Sequence, residues 1–591
     1  MSALINALDN HTSKQIGENG HAEYGWSNSI RERIIQLSFQ MTRTDEKGVQ
    51  KLARILKDIL NTLKAQLSSF EKNSSEHVVV TEYLIILYKM IGQTRDIVDG
   101  KGECSLTYMM IHTWFEFYPE LALYAVKCLV DFGDDGKTHQ YGSWKDIKYF
   151  SSYCHKNGCS LEHPLIQHSI SIVNAQINTD YANLISNSDD ISLAGKWVPR
   201  EKSGRFGWMY EALACNYFPR YLETAGWVSK DSSKAAAILK SKMEYRKVLS
   251  ALNRKIDTLQ IKQCGKIWTE IDFKKVTSVS LSKQRKAFLN VTKKGQPRFP
   301  DNQDRVECAE HFNAHIQKAV KGEVEMKGKR VGLENFTKQA IELVVNKNSP
   351  SFETEKALLD SQWRDNSSQT GALGDMIAMV DVSGSMCGDP LNAAIALGIR
   401  VAEKSKLGKR VLTFSSTPKW VNLEGQNDFT SMVQTLQHAD WGMSTNFNAA
   451  LNMILDAIVE AKMKPEDVEG LTLAIFSDMQ MDAADRTNSD TNVLYDRIRA
   501  KYAEAGLRVK GKPYKPPHIL FWNLRSTTGF PTLSSQQNAS MMSGFSAAML
   551  NLFCEQGIQS LQAASPWSLF LKSLENERYS IMETKVRGFL L

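Results

Sequence analysis

Residues 376–385 read Met-Ile-Ala-Met-Val-Asp-Val-Ser-Gly-Ser, an apolar run that ends in Asp381-x-Ser383-x-Ser385. One carboxylate and two hydroxyls at the end of a buried strand are hard oxygen donors, the kind that Mg²⁺ takes. Two further oxygen donors follow. Thr445 lies in the polar stretch Trp-Gly-Met-Ser-Thr-Asn ahead of an apolar helix, and Asp478 closes a second apolar run that starts at Leu471. Mg²⁺ prefers six oxygens and keeps water where protein ligands are few, so this set would leave room for an outside anion. A second group of residues suggests different chemistry. Residues 281–300 hold Lys283, Arg285, Lys286, Lys293, Lys294 and Arg298, no acidic residue, and the rings of Phe288 and Phe299. Cations beside exposed rings can hold phosphates and stack unpaired bases.

The elements that carry these residues follow from hydrophobic period. After the first oxygen-rich turn, Asp389-Pro390 supplies a cap and a proline at the first helical position, opening an apolar helix to Lys404. Strand, turn and helix in succession mark the carboxyl edge of an open α/β sheet, where ligands bind. Strands are expected at 376–381, 410–415, 418–423, 471–477 and 518–524. Only Ser416-Thr417 separates the second from the third, which predicts an antiparallel edge hairpin. Helices are expected at 449–461, 546–555 and 566–576. From Ile30 to about Pro350 the period is helical instead, as in Ile34, Ile35, Leu52, Ile55, Leu56, Ile59 and Leu60. No strand is expected before residue 373. Residues 348–373, rich in Ser, Asn, Asp and Gly, read as the boundary. The fold class is therefore α + α/β, with an α-helical domain over 15–350 and a doubly wound α/β domain over 373–591.

A chain of 591 residues exceeds one hydrophobic core, which agrees with two domains. The start lacks a basic, then long apolar, leader, and no apolar run reaches the length of a membrane span. Nine cysteines, an odd number spread along the chain, suit reduced thiols and a cytoplasmic location. The net charge of +7 is uneven: residues 191–350 carry 31 Lys and Arg against 16 Asp and Glu. That asymmetry points to nucleic acid, against a solvated basic face as the plainer account.

The five oxygen donors, in this order, resemble the metal-ion-dependent adhesion site of von Willebrand factor A domains. The resemblance implies that Ser383, Ser385 and Thr445 offer oxygens directly, and that Asp381 and Asp478 act directly or through water. It also implies one open position for a protein partner's acidic side chain. The helical half has its own likeness. Glu18-Asn19-Gly20, the stretch Arg95–Glu103, Tyr141-Gly142-Ser143-Trp144-Lys145-Asp146, Lys196-Trp197-Val198-Pro199-Arg200 and Tyr245–Ser250 occur in an order similar to the TROVE module of Ro-type ribonucleoproteins. They look closer still to an uncharacterised TROVE-like family of plants and giant viruses with the same attached A-type domain. This implies a HEAT-like ring or arch that binds small structured RNA or RNA ends, so the expectation is a non-enzymatic RNA-binding scaffold. The alternative is a structural or virion-assembly protein that uses the same folds for protein contacts.

Other constellations are weaker. Cys154-His155-x₃-Cys159-x₃-His163 has zinc-ligand types without a zinc-site spacing, and a polar loop between helices explains it better. His311 and His315 would share one helix face but lack the Glu of a zinc protease, and Lys101 lacks the rest of a phosphate-binding loop. Trp197, Trp208, Trp227 and Trp268 are expected to be buried in helical packing. A metal-dependent hydrolase built on Asp381 and Asp478 would need a base and a second metal that the sequence does not display.

Overall fold

A computed structural model describes residues 11–131, 140–226, 231–438, 445–482, 493–554 and 558–590. Trp227, residues 441–444 of the loop before Thr445, and Glu555 lie outside them.

The N-terminal region is helix-rich, running from Ile30–Gln40 through Glu46–Ser69 and Ser75–Arg95 to Leu333–Val345 and Phe352–Ser367. Local chemistry sets many of the helix starts. Asp45 and Ser74 accept backbone N–H groups of the first turn, and Pro119 opens its helix at a position where no N–H is needed. At Trp144–Lys156 a capping box joins Ser143 and Asp146. The C-terminal region is built on a mixed six-stranded sheet of order β5-β4-β3-β6-β7-β8. Its strands are β3 (Met376–Asp381), β4 (Arg410–Phe414), β5 (Lys419–Asn422), β6 (Thr472–Ser477), β7 (His518–Asn523) and β8 (Ala539–Ser543). All neighbours are parallel except β4 and β5, the expected edge hairpin.

Both faces of the sheet are covered, and alternate residues of β3 show it. Ala378 and Val380 pack with the helices Asp389–Lys404 and Phe429–Gln437. Ile377 and Met379 face the core that holds Phe447–Glu460 and Leu494–Lys510. The first of these layers is very close: a Cβ on Gly398 would meet Val380 Cγ2 at 2.5 Å, so the helix sits on β3 only because residue 398 has none. The second core continues without a break into the helices between residues 30 and 255. Trp26 and Phe39 of the N-terminal region touch Phe530 of the C-terminal region, with ring centres 5.0 and 6.2 Å apart. A satellite core around Phe273, Phe288 and Phe312 lies under the basic segment.

Three expectations are corrected. A short antiparallel hairpin, β1 (Lys14–Ile16) and β2 (Ala22–Tyr24), precedes the helices. Strands of three residues are too short to show a period. Residues 352–367, inside the stretch read as the boundary, form a helix. Its polar residues are buried and bonded: Asn366 donates to the carbonyls of Gly328, Lys329 and Val331 and accepts from the buried Arg400 at 2.7 Å. Finally, β8 was not anticipated, because Ala-Ser-Met-Met-Ser has no alternation and little β-branching.

Candidate metal centre and basic face

Strands β3 and β6 are neighbours in register Val380↔Phe476, so Asp381 and Ser477 end side by side and Asp478 follows. Asp381 is fully enclosed. Its Oδ1 accepts the Ser383 backbone N–H at 2.9 Å, which bends the chain into the turn. Its Oδ2 accepts the Ser477 hydroxyl at 2.6 Å. The Ser383 and Ser385 hydroxyl oxygens are 3.1 Å apart, with Ser383 buried and Ser385 exposed at the mouth. Asp478 is also fully enclosed; its Oδ1 accepts the Gln480 N–H at 3.1 Å. Four of the five expected ligands therefore converge at one sheet edge.

Thr445 belongs to the same edge but is held by different partners. Its N–H donates to Asp482 Oδ2 at 2.8 Å and its carbonyl accepts the Asp482 N–H at 3.0 Å. The next N–H, of Asn446, goes to the Ser415 carbonyl just past β4. The Thr445 side chain forms no hydrogen bond with the other four residues among the described residues.

Burial, and then the charge of Asp478, push the Asp381 carboxyl up to about 7. Asp478 is already paired with Arg525, so a divalent ion here would chiefly relieve Asp381, beside which two hydroxyls stand. Among the described residues no group of three or more His, Cys, Asp or Glu is arranged to hold a metal, so an ion at this edge depends on the hydroxyl oxygens. The donor set fits Mg²⁺ on those terms.

Sequence reasoning missed Arg525. Its Nε donates to Asp478 Oδ2 at 2.8 Å, and another nitrogen donates to Glu18 Oε2 at 2.7 Å. The N-terminal segment is also pinned here, because the Glu18 N–H and Asn19 side chain bond the side chain and carbonyl of Gln480. Arg525 lies two residues beyond the end of β7. The rule that ligands gather at the carboxyl edge of a parallel sheet would have pointed to it.

The structure divides the six basic residues of 281–300. Arg285 donates to Glu355 at 3.0 Å and Glu342 at 3.3 Å, and Lys286 bonds the Lys293 carbonyl. Lys283, Lys293, Lys294 and Arg298 are exposed. Phe288 is a core residue, whereas Phe299 is exposed beneath the guanidinium groups of Arg298 and Arg305, 5.2 and 5.3 Å from its ring centre.

A second basic group was not anticipated. The stretches 141–146 and 196–200 come together with the turn at 201–206. Lys148 Nζ lies 5.4, 5.1 and 5.1 Å from the ring centres of Tyr149, Trp197 and Phe206. Arg205 covers Tyr149 and Phe206, and Lys145 covers Tyr149. Partial burial, and then the charges of Lys145, Arg200 and Arg205, hold the Lys148 amine below its ordinary range. None of these four cations is ion-paired among the described residues. No linear spacing signals this group, because its members come from separate elements.

The weaker constellations resolve as follows. Cys154 and His155 lie inside the helix Trp144–Lys156, while Cys159 and His163 lie in the expected loop, 157–163, that joins it to Pro164–Ile185. His163 accepts the Leu165 N–H as a helix cap and the His155 ring stacks on Trp208. His311 and His315 lie on one helix, His311 exposed and His315 buried. Lys101 is buried and donates to the carbonyls of Ser38 and Met41 and to the Ser543 hydroxyl. No described helix is long and apolar enough to cross a membrane.

Two family profiles match the chain. Residues 375–585 match one described as a domain of unknown function (DUF7788), and residues 170–370 match another, also described as a domain of unknown function (DUF2828). No solved structure matches. The chain is similar to the uncharacterized protein L728 of Acanthamoeba polyphaga mimivirus, 28% identical over 507 residues that cover 83% of this chain and 79% of the viral protein.

Proposed function

We propose that this protein is a non-enzymatic RNA-binding scaffold. In this reading the helix-rich region is a TROVE-like array of HEAT-like helices, and the sheet region is a von Willebrand factor A-like domain. The observation that carries it is the group around Lys148. Lys145, Lys148 and Arg205, without an ion pair among the described residues, lie over three partly exposed rings with the charge of Arg200 acting on Lys148, an arrangement that suits phosphates and unstacked bases together. Like charges held together without a carboxylate destabilise a fold unless an anion joins them. Lys283, Lys293, Lys294 and Arg298 form a second exposed basic set that would serve as backbone contacts, while Arg285 and Lys286 serve mainly the fold.

The sheet edge has a separate task. Asp381, Ser383, Ser385, Thr445 and Asp478 would hold Mg²⁺, which supplies a Lewis-acidic position for the carboxylate of a protein partner. The chain's own residues shape that position: Asp381 and Asp478 set its charge, and Arg525 ties it to Glu18.

Crosslinking and sequencing of bound RNA tests the reading. Wild type is expected to enrich defined RNAs that a Lys145→Glu, Lys148→Glu, Arg200→Glu, Arg205→Glu variant loses. A Lys283→Glu, Lys293→Glu, Lys294→Glu, Arg298→Glu variant should lose part of them. No enrichment by wild type overturns RNA binding and favours the assembly-protein alternative.

A further inference from the structure

The helix Trp144–Lys156 ends in a left-handed cap at Gly158, whose φ is +90°. The Gly158 N–H reaches the His155 carbonyl at 3.3 Å, and the Cys159 N–H reaches the Cys154 carbonyl at 3.0 Å. This is a Schellman closure. Its six-to-one hydrogen bond draws the residue after the glycine against the third residue from the helix end. An apolar pair frequently meets there in such closures; here both positions are cysteines. Each is a thiol in the structure. Cys154 is fully enclosed, while Cys159 lies just under the surface with 7% of its area exposed.

The surroundings distinguish the two sulfurs. Cys159 Sγ is 3.6 Å from Nε2 of His112, which comes from the neighbouring helix Cys104–Phe115. A hydrogen bond from Cys154, then burial opposed by a hydrogen bond and charge from His112 and by the charge of His163, bring the Cys159 thiol below its ordinary range. Burial and the neighbouring Cys159 push the Cys154 thiol well above it. One sulfur thus favours the thiolate and its neighbour keeps a proton. The other nearby imidazoles have different tasks: His155 stacks on Trp208 and lies 3.4 Å from the Cys159 carbonyl, and His163 caps the next helix. No metal-holding group of His, Cys, Asp and Glu exists here among the described residues.

We infer that Cys159 and Cys154 form a thiol–disulfide pair oxidised by hydroperoxides, with Cys159 attacking, Cys154 resolving and His112 positioning. The Cys159 thiolate attacks the distal oxygen of the peroxide; an S–O bond forms, the O–O bond breaks, and the released alkoxide or hydroxide takes a proton. Cys159 is then a sulfenic acid, oxidised by two electrons. The Cys154 sulfur attacks the Cys159 sulfur, an S–S bond forms, the S–O bond breaks, and the departing hydroxide leaves as water with the Cys154 proton. Hydrogen peroxide consumes both thiols in this way and yields one disulfide and two waters. The inference is independent of RNA binding. The resulting bridge would lock the end of the helix that carries Lys145 and Lys148.

The test treats the full chain with hydrogen peroxide, blocks remaining thiols, and maps cysteine states by mass spectrometry. Wild type is expected to give a Cys154–Cys159 disulfide. Cys154→Ser should stop at a Cys159 sulfenic acid that dimedone captures, and Cys159→Ser should give neither product. His112→Gln should slow alkylation of Cys159 at pH 6 by at least about tenfold, because less thiolate is present. Wild-type protein decides the matter even if a variant misfolds. Oxidation confined to the exposed Cys264 and Cys387, or Cys159 carried to sulfinic acid with Cys154 still a thiol, overturns the pairing. Unchanged alkylation in His112→Gln overturns the role of the imidazole.

Discussion

Arg525 Nε lies 2.8 Å from Asp478 Oδ2, so a guanidinium already touches one of the two carboxylates that would serve a cation. The same guanidinium reaches Glu18, which couples the N-terminal hairpin to the sheet edge. A Mg²⁺ ion at the proposed site would share the Asp478 carboxylate with Arg525, and the two cations would oppose each other in charge. Arg525→Gln is expected to tighten Mn²⁺ or Mg²⁺ binding by about tenfold, a modest share of the interaction between charges at this range. Asp381→Asn should remove binding altogether. Calorimetry or Mn²⁺ spin resonance checks both, and weaker binding in Arg525→Gln would refute the antagonism.

RNA affinity should fall steeply with salt. Each phosphate contact removed from the Lys148 group lowers the slope of log affinity against log salt by about 0.7 for single strands. Lys148→Ala with Arg205→Ala is therefore expected to flatten the slope by about 1.4. Trp197→Ala should instead cost about 1–3 kcal/mol without changing the slope, since stacking releases no ions. Filter binding at several salt concentrations separates the two effects, and equal slopes for all variants would contradict the assignment.

Acid stability should depend on Asp146. Burial alone would raise its carboxyl, but the Arg95 guanidinium, two bonds of 2.8 Å to it, and the Tyr108 hydroxyl hold it below the ordinary range. A depressed carboxyl contributes stability that is fully present above its unfolded value and is lost as pH falls through its folded value. Asp146→Asn is expected to cost about 3–5 kcal/mol near neutrality, because Arg95 stays buried without its partner. Urea midpoints should converge between wild type and variant below about pH 4. A gap that stays constant with pH would rule the linkage out.

The C-terminal helix should detach when Arg578 is removed. Arg578 donates to both oxygens of Asp96 at 2.8 and 2.9 Å, and Tyr579 adds a third bond to the same carboxylate. Arg578→Ala leaves an enclosed carboxylate with less compensation, at a cost of about 3 kcal/mol or more. Hydrogen exchange of Ser580–Leu590 is expected to accelerate, and unchanged protection there would disprove the latch.

Five strands, their edge hairpin and the Asp381–Ser385 turn were legible in the amino-acid order, because apolar runs and turn chemistry are local properties. The helix Phe352–Ser367 was not, since Asn366, Gln362 and Ser367 look like linker residues until their buried hydrogen bonds are seen. The short strands β1, β2 and β8 were hidden for a related reason: tertiary pairing, not side-chain period, makes them strands.

The sequence by itself determined a helix-rich half, an α/β half and a set of oxygen donors at the ends of two strands, whose pairing the sheet then supplied. Only the tertiary structure decided that Arg525 faces Asp478, that Lys145, Lys148, Arg200 and Arg205 converge, and that His112 meets Cys159. Those contacts join residues from different elements, and their distances depend on how helices and sheet pack. A linear order carries periodicity and turn chemistry, but not the relative placement of elements that packing alone selects.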